Sequence, residues 1–156
     1  GLTVIGTASS DAGAKLVAEL GADAAFDHTD EGHYSAIREF THGKGVDIII
    51  EMLANVNLER DFEALAMFGR IVVVGNRGSL TFTPRLAMTK DATIYGMSLF
   101  NSPQSDRDMI HAAIQTGLSN GSLDPIVSRV FRIDEAPLSH LAVINEKSNG
   151  KIVLRP

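Results

Sequence analysis

The stretch Val46 to Gly78, VDIIIEMLANVNLERDFEALAMFGRIVVVGNRG, decides the fold, because two short apolar runs flank one amphipathic helix. Val46, Ile48, Ile49, Ile50, Met52 and Leu53 form a largely β-branched run without polar alternation, the pattern of a parallel strand buried on both faces. Ile71 to Val74 reads the same way. Between them Leu58, Phe62 and Leu65 recur at i, i+4 and i+7, one helical stripe, with Asn57 placed to cap the helix. Strand, helix and strand make a right-handed crossover, which puts both strand C-terminal ends on one edge of a parallel sheet. Open parallel sheets bind their ligands at that edge. Leu53 to Asn57 and Gly75 to Gly78 are therefore the first candidates for function.

Outward from this unit the alternation continues. Leu2 to Thr7 reads as a strand, and a helix follows with Leu16, Val17 and Leu20 on one face, Ser9 or Ser10 as its cap and Gly21 as its stop. Ala24 to Phe26 is a second short strand ending at Asp27 and His28, and Tyr34 to Phe40 is a helix. Beyond Gly78 come a short helical piece around Leu86 to Lys90, a strand from Ala92 to Leu99 and a helix from Asp106 to Leu118 in which Met109, Ile110, Ala113 and Ile114 share a face. Strand Ile126 to Ile133, helix Glu135 to Asn145 and strand Lys151 to Leu154 close the chain. The class is α/β, a Rossmann-type doubly wound and mainly parallel sheet. With 156 residues it reads as one domain or part of one.

Composition narrows the function classes. A net charge of −5 with scattered Lys and Arg leaves no electrostatic footprint for nucleic acid or an anionic membrane. The absence of cysteine rules out disulfides and thiolate metal sites within this stretch. No apolar run approaches the roughly 18 residues of a membrane span, and no signal-peptide pattern opens the sequence. The expectation is a soluble, cytoplasmic protein without membrane partners.

A dinucleotide-binding sheet normally starts with a strand running into G-x-G-x-x-G at a helix N-terminus. No such motif occurs here. Gly6-Thr7-Ala8-Ser9-Ser10 fits better as the end of the second strand of such a fold, where the adenosine ribose lies. NAD-selective proteins carry a carboxylate there for the 2′-hydroxyl. Here small hydroxyl residues stand instead, with no carboxylate before Asp11, which favours NADP over NAD.

At IIIEMLANVNL, VVVGNRG, GTASS and the closing GKIVL, the sequence resembles the zeta-crystallin family of NADPH-dependent quinone reductases, in the zinc-independent medium-chain dehydrogenase/reductase superfamily. The run Ile48 to Leu58 is the most specific part of a resemblance that covers essentially the whole chain. It implies a partial NADP-binding domain over 1–156, with a C-terminal return segment from about 126. The first strand, glycine loop and first helix, and an N-terminal catalytic domain, would precede it. Carried over by position, it puts Ser9, Ser10 and His28 at the 2′-phosphate and adenine of NADPH. Relatives have glycine at the Ser9 position, and this sequence departs there. The resemblance makes Asn57 a cofactor contact, places Val74, Gly75, Asn76 and Arg77 beside the nicotinamide and ribose, and brings Met97, Ser98 and Leu99 to the nicotinamide region. It implies electron or hydride transfer to a quinone or an enone without catalytic zinc, and a homodimer or homotetramer paired through the Ala92 to Leu99 edge strand. The alternatives are an enoyl or alkenal reductase of the same superfamily, or a non-catalytic crystallin-type or weakly RNA-binding protein. Catalytic residues would belong to the preceding domain.

Simpler readings stand beside these. Asn57 serves equally as a helix cap, Gly75 as a turn residue, and Lys15 as part of a solvated face. Glu51, a carboxylate in an apolar strand, must be paired or protonated, and bonding to neighbouring backbone or a hydroxyl is favoured over an acid in catalysis. His33, His42, His111 and His140 are too dispersed for a metal site, and Met52, Met67, Met88, Met97 and Met109 read as core. In strand order 3-2-1-4-5-6, an absent first strand leaves a gap of roughly 10 Å between the second and the fourth. Residues outside this sequence would fill it, or the chain would rearrange or self-associate.

Overall fold

The structure, a computed structural model, describes residues 1–146 and 149–156. They fall into two units, Gly1–Asn101 and Ser102–Pro156. The first runs β1 (Ile5–Ala8), α1 (Asp11–Glu19), β2 (Ala24–Asp27), α2 (His33–Phe40), β3 (Val46–Glu51), α3 (Ala54–Ala64), β4 (Leu65–Val73), α4 (Pro84–Met88) and β5 (Thr93–Gly96). Strand and helix alternate and all described strand pairs are parallel, so the chain has the α/β class expected of it. β1 pairs with β2, Ile5 opposite Ala24 through Ala8 opposite Asp27. β4 lies between β3 and β5, which leaves β5 at the sheet edge. Among the described residues β1 and β3 do not pair with each other, so these two sheets each keep an open side.

Burial explains the order of elements. α3 lays Ala54, Leu58 and Phe62 against Leu65 and Ile71 of β4, with Ile49 and Val73 packed around them. Tyr34, Ile37 and Ala64 form a second cluster with Ile5, Phe26 and Val46, which ties the two-stranded sheet to the crossover through α2. The opposite face of the three-stranded sheet is uncovered. Ile48 is 46% and Ile50 60% exposed, against 0% for Ile71. The expectation that the Val46 run is buried on both faces is therefore corrected: Ile49 and Glu51 lie on the α3 side, and their alternating neighbours Ile48 and Ile50 are exposed. The five methionines are likewise exposed, not core, since they occupy such uncovered faces and loops.

Two boundaries move for tertiary reasons. Leu65, expected on the helical stripe, is the first residue of β4, because it pairs with Val46 while the turn at Gly45 presses on the backbone of Ala64 to Ala66. Gly45 has φ +84°, and a Cβ there would overlap the Ala64 carbonyl. Leu53, not Asn57, stands at the start of α3, and Asn57 lies inside its first turns. The strand expected over Ala92 to Leu99 is shorter, and a 3-10 turn takes over at Leu99–Asn101.

The second unit consists of α5 (Gln104–Asn120), β6 (Val127–Arg132), α6 (Ala136–Asn145) and β7 (Lys151–Arg155). β6 and β7 pair in parallel, and Phe131 and Ala142 are buried. Arg129 lies 4.5 Å from the Phe131 ring centroid and pairs with Glu146 at 2.7 Å. Among the described residues no helix is long and apolar enough to cross a membrane.

The burial contrast sets a stability test. Ile71→Ala should cost about 2–5 kcal/mol, the range for a buried aliphatic truncation, whereas Ile50→Ala should cost less than about 1 kcal/mol. Urea midpoints of the two variants check it.

Candidate functional site

The C-terminal ends of β3, β4 and β5 are joined by backbone bonds into one surface. The Val74 and Gly75 N–H groups both donate to the Glu51 carbonyl, at 2.9 and 3.2 Å, and the Met97 N–H donates to the Val73 carbonyl at 3.0 Å. The Ala54 N–H, one of the unsatisfied donors at the start of α3, gives its hydrogen to the Gly75 carbonyl at 3.0 Å. The Arg77 N–H donates to Asn55 Oδ1 at 2.9 Å, and Asn76 Nδ2 donates to the Gly78 carbonyl at 2.7 Å. Gly75 is required by closeness: a Cβ there would overlap the Met52 carbonyl oxygen. This edge brings together Asn57, Val74, Gly75, Asn76, Arg77, Met97, Ser98 and Leu99. Asn76, Arg77 and Met97 to Leu99 are exposed, so the surface is open to a ligand.

Beneath the edge lies a buried polar cluster. Glu51 is 5% exposed, and its Oε1 accepts the Leu53 N–H in a short bond and Asn57 Nδ2 at 3.1 Å. The carboxylate thus holds the turn by which β3 enters α3, and Asn57 anchors to it instead of capping the helix. Asp61 sits one helical turn further on, 3% exposed, with Oδ2 lacking any donor. Burial pushes its carboxyl up to about 8, the Glu51 charge and hydrogen bond push the same way, and the Tyr34 hydroxyl opposes them. Burial likewise raises the Tyr34 phenol far above its ordinary range, with Asp61 adding to the shift and Arg60 opposing it. The Arg60 guanidinium lies 4.8 Å from the Tyr34 ring centroid and bonds Glu63 and the Glu31 carbonyl.

Ser9, Ser10 and His28 stand at the end of the two-stranded sheet, where Ser10 and His28 are bonded. Ser10 caps α1, its Oγ accepting the Gly13 N–H at 3.2 Å, and the His28 N–H donates to the Ala8 carbonyl at 3.0 Å. Asp27 Oδ1 accepts both the Thr29 N–H and hydroxyl, which shapes the turn after β2. Lys15 pairs with Glu19 on an exposed face at 3.7 Å. The candidate residues therefore form two groups, each at a strand C-terminal edge.

Glu51 was legible as anomalous, and bonding to neighbouring backbone is what the structure shows. Asn55 falls within the candidate stretch Leu53 to Asn57, whereas Asp61 and Tyr34 fall outside the candidate stretches. Asp61 carries a readable signal, since it lies three residues from Leu58 and four from Leu65, on the apolar stripe itself. Tyr34 carries none, because its partner is distant in sequence.

Residues 1–116 match the family model described as zinc-binding dehydrogenase. The chain belongs to the zinc-binding dehydrogenase family. It is 37% identical over 155 residues to human quinone oxidoreductase, covering 99% of this chain and 47% of that protein. Among solved structures it is similar to a mycobacterial protein complexed with NADPH, with a TM-score of 0.87 at 23% identity, over 100% of this chain and 50% of that one. A 2-haloacrylate reductase follows at TM-score 0.84 and 25% identity, over the same shares. The chain spans about half the length of the curated relatives it matches. These findings agree with the C-terminal, nucleotide-binding part of a medium-chain dehydrogenase/reductase. The zinc in the family's name finds no fit: among the described residues no three metal-ligating side chains converge, and cysteine is absent.

An unfolded chain ionises Asp61 near 3.8, whereas the native carboxyl keeps its proton up to about 8. The native state thus binds the extra proton between those values, and the stability linked to it is full below 3.8 and declines as pH rises to about 8. Asp61→Asn needs no proton. Its stability relative to wild type should grow from about pH 5 to about pH 8, by up to about 1.4 kcal/mol per pH unit. Urea midpoints at both ends of that window check the sign.

Proposed function

We propose that this chain is the NADPH-binding half of a quinone reductase that passes an electron or hydride from NADPH to a quinone. The observation that supports it most is the open edge at which the loops after β3, β4 and β5 are bonded together, in a chain similar over 99% of its length to quinone oxidoreductases. Asn57, Val74, Gly75, Asn76 and Arg77 serve the nicotinamide and its ribose, and Met97 to Leu99 border them. Ser9, Ser10 and His28 serve the adenosine end, where β1 runs into two hydroxyls and the Asp27 carboxylate at the end of β2 is engaged by the Thr29 N–H and hydroxyl. Bound NADPH supplies the reducing chemistry; these residues orient it and limit water around it.

The unpaired sides of β1 and β3 support a further strand between them, with its glycine loop, in the longer protein. The catalytic domain, and the residues that select a quinone, belong to that protein too. The outer side of β5 is suited to pair with a second subunit in a homodimer or homotetramer, and a cytoplasmic location is part of the same proposal. A second reading, an enoyl or alkenal reductase, is favoured by the similarity to 2-haloacrylate reductase. It keeps the same cofactor residues and changes the acceptor.

Calorimetric titration of the full-length protein with NADPH and with NADH tests the reading. NADPH should bind at least about tenfold tighter, and Ser9→Asp should reverse or erase that preference by setting a carboxylate against the 2′-phosphate. Equal affinities in the wild type contradict it. Faster turnover of an unsaturated acid than of a quinone selects the second reading.

A further inference from the structure

The cofactor reading leaves one feature without a role, the two buried carboxyls of Glu51 and Asp61. They come from different elements, β3 and α3, are 5% and 3% exposed, and lie close enough for the Glu51 charge to act on Asp61. Among the described residues no cation is bonded to the pair: Arg60, on α3, is engaged with Glu63 and with the Glu31 carbonyl. Two adjacent carboxylates cannot both stay ionised at such burial. The donor inventory says where a proton sits. Glu51 Oε1 already accepts the Leu53 N–H and the Asn57 amide, whereas Asp61 Oδ2 has no donor at all. A proton on Asp61 turns that orphan acceptor into a donor toward Glu51 and removes the repulsion. The other groups around the pair are Tyr34 on α2, which bonds Asp61, with His33 stacked on it at 3.9 Å, and Glu63 on the outer side of α3.

The bonds of Glu51 lead directly to the ligand edge. Leu53 and Asn57 bracket the turn that carries Ala54, whose N–H holds the Gly75 carbonyl, and Asn55, whose Oδ1 holds the Arg77 N–H. We propose that Asp61 carries a proton toward Glu51 and that the two act as a positioning pair, holding the Leu53–Asn57 turn and the Gly75–Arg77 loop in the ligand-ready arrangement only while that proton is present. When it leaves, repulsion turns the Glu51 carboxylate away from the Leu53 N–H and the Asn57 amide, and the edge loses its anchor. The naming of NADPH as the ligand rests on the function proposed above; the pair itself does not.

The test follows the turn and the ligand separately in the full-length protein. Amide exchange at Leu53, corrected for intrinsic base catalysis, and the carbon-13 resonance of the Asp61 carboxyl are recorded from about pH 6 to about pH 10. In the wild type the carboxyl should titrate near 8, and Leu53 protection should fall at least about tenfold over the same range. Asp61→Asn keeps a donor toward Glu51 and should show no such step, while Glu51→Gln should lower Leu53 protection at every pH. NADPH affinity should weaken in parallel in the wild type and stay level in Asp61→Asn. An identical exchange profile in wild type and Asp61→Asn, or a carboxyl titrating in the ordinary range, overturns the proposal. An intact exchange step with no NADPH binding at any pH supports the pair and refutes the cofactor reading instead.

Discussion

The carboxylate of Glu51 is the constraint on which the C-terminal edge of the first unit's three-stranded sheet depends. A buried acid at the end of an apolar strand is tolerable only when its oxygens are satisfied, and Glu51 meets that need with the Leu53 N–H and the Asn57 amide. Hydrogen bonds to a charged group contribute about 1.5–3 kcal/mol each, more than a neutral backbone bond. From the turn they hold follow the entry angle of α3, the contact between Ala54 and Gly75, and the need for glycine at 75, where a side chain would strike the Met52 carbonyl. The helix has no side-chain cap because the strand-end loops supply its partners.

Two open features show how this architecture is used. The uncovered face of the three-stranded sheet presents Ile48, Ile50 and Met52, and the unpaired sides of β1 and β3 present backbone donors and acceptors. Both are costly in an isolated globule and ordinary in a part of a larger one. The chain's coverage of 47% of human quinone oxidoreductase agrees with that picture.

The zinc-binding dehydrogenase family is defined by a scaffold, and the donors present in one member decide its chemistry. Among the described residues no three metal-ligating side chains converge, and the buried acids of this chain answer to each other and to backbone.

Much of this was legible from residues alone. The β-branched runs, the Leu58 and Phe62 stripe and the alternation of elements specify an α/β chain with parallel strands, because periodicity is a local property of which side a residue faces. The anomaly of Glu51 was visible for the same reason. What only the tertiary structure decided is which faces are covered, where Leu65 leaves the helix, and which groups answer Glu51. Those outcomes depend on partners far apart in sequence: Val46 captures Leu65 for the sheet, and Tyr34 reaches Asp61 from another helix. A single residue's type states its need for a partner, and only the packing of elements states which partner it has.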